Sequence, residues 1–375
     1  MSDDLAPFRQ RIDSIDRELV RLLNERAACA QRIGEAKRQA GSHVYVPHRE
    51  QEVFARLHQA NEGPIPDRCL NAIWREIIST SYALEAPLSI CHFGQPGAFT
   101  FQAARMKFGE GVRYAAIESI AGVFDEIERG RADYGIVPIE NSTDGGITDT
   151  IDAFLQTRLH IVNELFLRVR HHLMGRAAQA DIQRIYSKHT VFGQCRNWLS
   201  THMPGIELIE TGSTTQAAAR AAEDPSSAAI GHAEAAHAFD LTMLASDIED
   251  NPTNTTRFVV LADIAKAAEP SGDDKTSLMF GIQDRPGALY EALLPFYQAG
   301  ISLSRIESRP NRREPWEYLF FIDLVGHRKD GPVTEAIEHL RGHTSILQIL
   351  GSYPRAHRPL NDQDRHQPTT QGLSS

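Results

Sequence analysis

Between Pro7 and Gly34 the chain has neither proline nor glycine, and Ile12, Ile15, Leu19, Leu22, Leu23, Ala30 and Ile33 recur at three- and four-residue steps. That spacing predicts one amphipathic helix over about 5–40. At ~1.5 Å per residue it runs for ~50 Å, longer than a globule of ~90 residues is wide. Such a helix has to lie along a partner, most simply the same helix of a second chain. A break at 41–43 and Pro47 precede a second helix, about 48–61. A third, about 67–85, carries Leu70, Ile73, Trp74, Ile77, Ile78 and Tyr82. Pro87 closes an all-helical unit, 1–86.

Beyond Pro87 short apolar runs near 88–91, 134–137, 160–162, 228–230 and 258–261 alternate with helical stretches at 119–130, 148–157, 192–202 and 214–223. This alternation predicts an α/β unit, 87–265, with largely parallel strand pairing. The stretch 265–274 is rich in Ala, Pro, Ser and Gly and reads as a linker. Within 275–355 the order is strand, helix, strand, strand, helix, strand: 277–282, 288–299, 303–309, 316–324, 333–343 and 346–353. That is a ferredoxin-like βαββαβ plan. The polar tail, 356–375, is expected to be disordered.

A net charge of −10 argues against nucleic acid as the main partner. Any anionic substrate therefore needs local clusters of Arg and Lys. No run of ~18 apolar residues exists, and the charged start has no secretion-type apolar segment, so a cytoplasmic protein is expected. Cys29, Cys69, Cys91 and Cys195 form no CxxC pair and read as reduced, buried thiols. No metal and no cofactor is expected.

On the long helix Arg26 lies inside the apolar stripe, between Leu19 and Ile33. Lys37 follows 11 residues later, ~20° beyond three full turns at ~100° per residue, on the same face. Arg9 is ~100° away and suits a partner helix's pocket. These cations could simply pair with Glu18, Glu25 or Glu35. Arg49 and Glu50, opening the next helix, favour a site. FRQRIDSIDRELVRLLNERAACAQRIGEAK, HREQE and IISTSYALE resemble the all-helical chorismate mutase. The resemblance implies that Arg9 (from the partner chain), Arg26 and Arg49 hold the substrate's carboxylates. It places Lys37 at the ether oxygen, Glu50 at the ring hydroxyl and Ser81 in the pocket wall. The rearrangement needs a folded substrate and stabilised ether-oxygen charge, with no nucleophile. Val46 and Glu85 depart from the family pattern. Glu85 stands where many members carry a donating Gln, and a carboxylate donates only when protonated. The mutase is therefore expected to weaken as pH rises, and Glu85→Gln to flatten that dependence.

Three segments of the α/β unit put polar residues at strand ends, where open α/β sheets bind ligands: GRADYGIVPIENSTDGGI (130–147), YSKHTVFGQC (186–195) and DNPTNTTRFVVL (250–261). In this order they resemble prephenate dehydratase, whose two α/β lobes enclose a cleft like that of a periplasmic binding protein. The implied site is Glu140, Asn141, Ser142, Thr143, Ser187, Gln194, Ser213, Thr214, Thr256, Arg257 and Phe258. Arg257 is expected to fork onto a substrate carboxylate. Thr256, with Glu140 as runner-up, is expected to help the ring hydroxyl leave. Lys188 stands where many members have His, and Glu234 is one place from an expected acid.

The C-terminal unit has no convergent acid–base set. Its Asp284-Arg285-Pro286-Gly287-Ala288-Leu289 and Glu307-Ser308-Arg309-Pro310 resemble the two motifs of the ACT regulatory domain. The resemblance implies L-phenylalanine bound by Gly287, Ala288, Leu289, Glu307, Ser308, Arg309 and Pro310 between paired regulatory units. Together the parts imply a homodimeric or higher homo-oligomeric enzyme converting chorismate to prephenate and prephenate to phenylpyruvate under phenylalanine feedback. The alternatives are a non-catalytic amino-acid-sensing binding protein, or an enzyme keeping one of the two activities.

Overall fold

The computed structural model describes residues 5–41, 43–310, 318–357 and 359–360. Three helices, α1 (Ala6–Ala40), α2 (Pro47–Ala60) and α3 (Asp67–Glu85), open the chain. Gly41 ends α1 in the left-handed conformation, φ 65°, which glycine adopts without steric penalty. Only the C-terminal part of α1 packs on α3, and every described residue from Leu5 to Glu25 is exposed. Phe8, Ile12, Val20 and Leu19 keep half or more of their surface open. Exposed apolar surface of that extent marks an interaction site.

The α/β unit has two lobes. In lobe 1 the sheet order is β2-β1-β3-β11-β5, with β4 beside β3. Its strands are β1 (Ser89–Phe93), β2 (Arg113–Ile117), β3 (Tyr134–Asn141), β4 (Gly145–Gly146), β5 (His160–Arg168) and β11 (Thr255–Ala262). Lobe 2 has the order β10-β6-β9-β7-β8, from β6 (His172–Gly175), β7 (Arg184–Ser187), β8 (Glu207–Glu210), β9 (Ser227–Gly231) and β10 (Thr242–Ala245). The pairing is mixed where largely parallel pairing was expected. β1 pairs in parallel with β2 and β3, but β11 runs antiparallel to β3 and β5. The chain leaves lobe 1 at the end of β5 and returns at that same end, where Thr255 pairs with Arg168, so β11 runs back antiparallel to β5 and β3. The helices are α4 (Phe99–Phe108), α5 (Ile120–Glu128) and α6 (Thr148–Phe154) in lobe 1, and α7 (His189–Gln194), α8 (Arg196–His202), α9 (Thr214–Glu223) and α10 (Ala233–Ala238) in lobe 2.

The C-terminal unit is β12 (Asp274–Ile282), α11 (Ala288–Gln298), β13 (Leu303–Pro310), β14 (Tyr318–Val325), α12 (Gly331–Arg341) and β15 (Ile346–Pro354), with sheet order β13-β14-β12-β15. The first two residues of the strand expected at 316–324 lie outside the described residues. The expected tail falls largely outside them too; Pro359 bridges to Phe166 of β5.

Lobe 1 is the hub. One face of its sheet shares a core with the helical unit, where Tyr45, Ile78 and Tyr82 join Ile90, Phe108, Tyr134 and Phe258. The other face shares a core with the C-terminal sheet, where Val137, Val259 and Leu261 join Met279, Phe321 and Tyr353. Buried aromatic and aliphatic surface of this kind fixes neighbouring units firmly. Among the described residues no helix is long and apolar enough to cross a membrane. Cys91 and Cys195 are buried, whereas Cys29 and Cys69 are exposed, Cys29 on the wall of the open cavity between the three helices.

Candidate functional sites

The three N-terminal helices surround a cavity of about 470 Å³ lined by Arg26, Lys37, Arg49, Glu50, Ser81 and Glu85. These residues come from all three helices, and Val46 and Ile33 add apolar wall. Arg26 donates to Ser81 Oγ at 2.5 Å. Lys37 Nζ donates to Glu85 Oε2 at 2.9 Å and to the Val44 carbonyl at 3.0 Å. Gly34 allows the close crossing of α1 on α3, since a Cβ there would fall 2.6 Å from the Glu85 Cα. Glu85 is thus a buried carboxylate paired with a cation. Arg9 is exposed far along α1, away from this cavity. Arg49 pairs with Glu52 at 2.6 Å on an exposed surface.

In the α/β unit Asn141 is the organising residue. Its Oδ1 accepts from the backbone N–H groups of Thr143 and Asp144 at 2.9 and 3.0 Å. Its Nδ2 donates to Asn254 Oδ1 at 2.9 Å and to Thr256 Oγ1 at 3.0 Å. Ser142 Oγ accepts from the Thr255 N–H at 2.9 Å. Asn254, 2% exposed, lies within the 250–261 segment without a spacing signal of its own; only the fold brings it against Asn141. The lobes meet where Gln194 Nε2 approaches Asp144 Oδ2 at 3.4 Å and Arg105 donates to Glu234 at 2.7 Å. Gln194 Oε1 lies 2.8 Å from His171 Nε2. Burial lowers the His171 pKa, and that of His232 falls to about 3 through burial and then its neighbours His172 and His171.

The remaining dehydratase-type candidates are dispersed. Ser187 Oγ is buried and donates to the Ile230 carbonyl at 2.8 Å. Ser213 caps α9 by accepting from the Gln216 N–H. Phe258 packs in the core. Arg257 and Glu140, neighbours of Thr256 and Asn141, are cross-strand partners on the side facing the C-terminal sheet. Arg257 is 3% exposed. Its Nε donates to Glu164 at 2.7 Å, its Nη2 to the Tyr353 hydroxyl at 2.9 Å, and its Nη1 to Asp323. Burial alone would raise the pKa of Asp323, yet Arg257 and Lys275 hold it below the ordinary value. The guanidinium expected to fork onto a substrate carboxylate is therefore already engaged by three protein carboxylates, those of Glu164, Asp323 and, at 3.5 Å, Glu140. A cavity of about 610 Å³ on this side is lined by Glu140, Arg257, Lys275, Arg305 and Asp323.

In the C-terminal unit Gly287 has φ 82° at the start of α11. Arg305, Glu307 and Arg309 of β13 turn toward lobe 1. Arg305 lies 3.6 Å from Glu140, and Arg309 donates to Thr148 Oγ1 at 3.0 Å. A Cβ on Gly146 would strike the Glu307 carboxylate.

Two polar sites on one chain, one built by helices and one by strand ends, with a third unit docked on the second, define a multidomain enzyme acting on small charged molecules. Residues 8–86 match the chorismate mutase type II family, residues 90–266 the prephenate dehydratase family, and residues 276–342 the ACT domain. A bifunctional chorismate mutase/prephenate dehydratase of Aquifex aeolicus is 41% identical over 359 residues, covering 94% of this chain and 99% of that protein. The Escherichia coli K12 protein of the same name is 30% identical, covering 93% and 96%. A prephenate dehydratase from Arthrobacter aurescens, solved in complex with L-Phe, superposes with TM-score 0.67 at 34% identity, covering 72% of this chain and 90% of that one. The chain belongs to the bifunctional chorismate mutase/prephenate dehydratase family.

Proposed function

We propose that the chain rearranges chorismate to prephenate, converts prephenate to phenylpyruvate, and is inhibited by L-phenylalanine. The observation that carries the first step is the helical cavity, where Arg26, Lys37, Arg49, Glu50, Ser81 and Glu85 meet from three separate stretches. Arg26 and Arg49 hold the carboxylates of a folded chorismate, and Lys37, steered by Glu85, meets the charge growing on the ether oxygen. Arg9 completes the cavity of a second chain, so the enzyme is a homodimer through α1. The exposed apolar stripe supports this.

For the second step Thr256, oriented by Asn141, assists departure of the ring hydroxyl while carbon dioxide leaves and the ring becomes aromatic. The lobes open and close about the two connections between them. Glu140 and Arg257 lie on the side of the C-terminal sheet, where Arg257 ties that sheet to lobe 1. L-Phenylalanine binds at Gly287–Leu289 and Glu307–Pro310 between paired regulatory units, and the Glu307 and Arg309 contacts to lobe 1 carry the effect. The functional units are 1–86, 87–265 and 275–355, in a cytoplasmic protein without a cofactor.

The test is to supply purified protein with chorismate and follow both its loss and phenylpyruvate formation, with and without phenylalanine. Loss of chorismate without phenylpyruvate would remove the second activity from the proposal. An unchanged rate with phenylalanine would remove the regulation.

A further inference from the structure

The carboxylate of Glu50 lines the mutase-type cavity, yet its side chain is only 6% exposed. A buried carboxylate is strongly unfavourable unless a cation or several donors compensate it. Among the described residues no cation of the helical unit pairs with Glu50. Arg49 pairs with Glu52, Arg26 donates to Ser81, and Lys37 pairs with Glu85. The partner of Glu50 comes from the α/β unit: Lys107 Nζ, in the last turn of α4, donates to Glu50 Oε2 at 3.0 Å. Lys107 is itself nearly buried, with 12% of its side chain exposed, and its ammonium lies 5.8 Å from the centre of the Tyr45 ring.

The end of α4 is fixed on α3 by several independent contacts. Arg75 donates to the Lys107 carbonyl at 3.1 Å, the Gly111 N–H to Ser79 Oγ at 2.7 Å, and the Glu110 N–H to Glu76 at 3.0 Å. Gly109 turns with φ 70°, and a Cβ on it would fall 2.6 Å from the Ser79 Cβ. The lysine is thus delivered to Glu50 by a rigid junction.

We propose that Lys107 is a positioning residue for the mutase reaction, although it belongs to the dehydratase lobe. It does not line the cavity. It neutralises Glu50, so that a pocket for a dianion carries no uncompensated negative charge there, and it holds the carboxylate as a fixed acceptor for the substrate's ring hydroxyl. The charge of Glu50 in the mutase pocket is balanced only when lobe 1 is docked. This inference rests on the mutase reading of the cavity.

The experiment is steady-state kinetics of the full chain with chorismate and, separately, with prephenate. Lys107→Gln is expected to raise the chorismate KM at least tenfold and to lower kcat by less, with prephenate kcat/KM within twofold of the wild type. Lys107→Arg should restore most of the chorismate KM. In a Glu50→Gln background, where the neutral amide needs no cation, Lys107→Gln should add less than a twofold effect. A role confined to holding the units together would give the same loss in both backgrounds, and that result would overturn the proposal. So would an unchanged chorismate KM in Lys107→Gln, or a parallel fall in prephenate turnover. If the wild-type chain dehydrates prephenate but leaves chorismate intact, the mutase reading itself is overturned, and this inference with it.

Discussion

Thr256 of β11 receives its hydrogen bond from the Asn141 amide of β3, at 3.0 Å across the strand pair. The amide has both an acceptor and a donor end in use, with two backbone N–H groups on one and Asn254 and Thr256 on the other. Asn141→Asp removes the donor end and sets a carboxylate against the Asn254 oxygen. Prephenate kcat should fall by about a hundredfold or more, with chorismate turnover unchanged. Thr256→Val should likewise lower mainly kcat. Equal KM effects on both substrates would place Asn141 in general stability instead.

Arg257 bridges lobe 1 and the C-terminal sheet. A lysine in its place keeps one charge but cannot reach Glu164, Asp323 and Tyr353 together. Arg257→Lys is expected to lose about 3 kcal/mol of stability, the scale for breaking a buried ion pair. The readout is a lowered urea midpoint with prephenate KM within twofold. A raised KM at an unchanged midpoint would restore the arginine to the substrate.

Gly287 sits at φ 82° before α11, a conformation unfavourable for a β-branched residue. Gly287→Val should leave the rates without effector near wild type and abolish inhibition by phenylalanine. Full inhibition of that variant would put the effector elsewhere.

Acid should weaken the fold through His232, whose pKa is lowered to about 3 by burial, with His172 and His171 adding to the shift. A base with a depressed folded-state pKa takes up its proton only in the unfolded chain between its two values. Stability is therefore full above the unfolded value near 6.5 and declines as pH falls toward 3. The decline amounts to about 2 kcal/mol at pH 5. Urea midpoints at pH 7 and pH 5 measure it, and His232→Asn, which keeps an acceptor for the Glu234 N–H, should show a smaller difference.

The long helix, the break before Pro47 and the C-terminal βαββαβ order were legible in the chain because each rests on local periodicity and on proline and glycine. The helical cavity was legible for a similar reason: 11-residue spacing on one helix puts Arg26 and Lys37 on one face. The dehydratase-type site was only partly so. Alternation along a strand already separates Asn141 and Thr256 from Glu140 and Arg257, although all four belong to two short motifs. What lies on each side is a long-range matter. The sequence names the charged groups and their local faces. Docking of lobe 1 between two other units decides that Arg257 meets Asp323, 66 residues later, and that Lys107 meets Glu50, 57 residues earlier. Those pairings follow from which apolar faces pack together, and no local spacing encodes them.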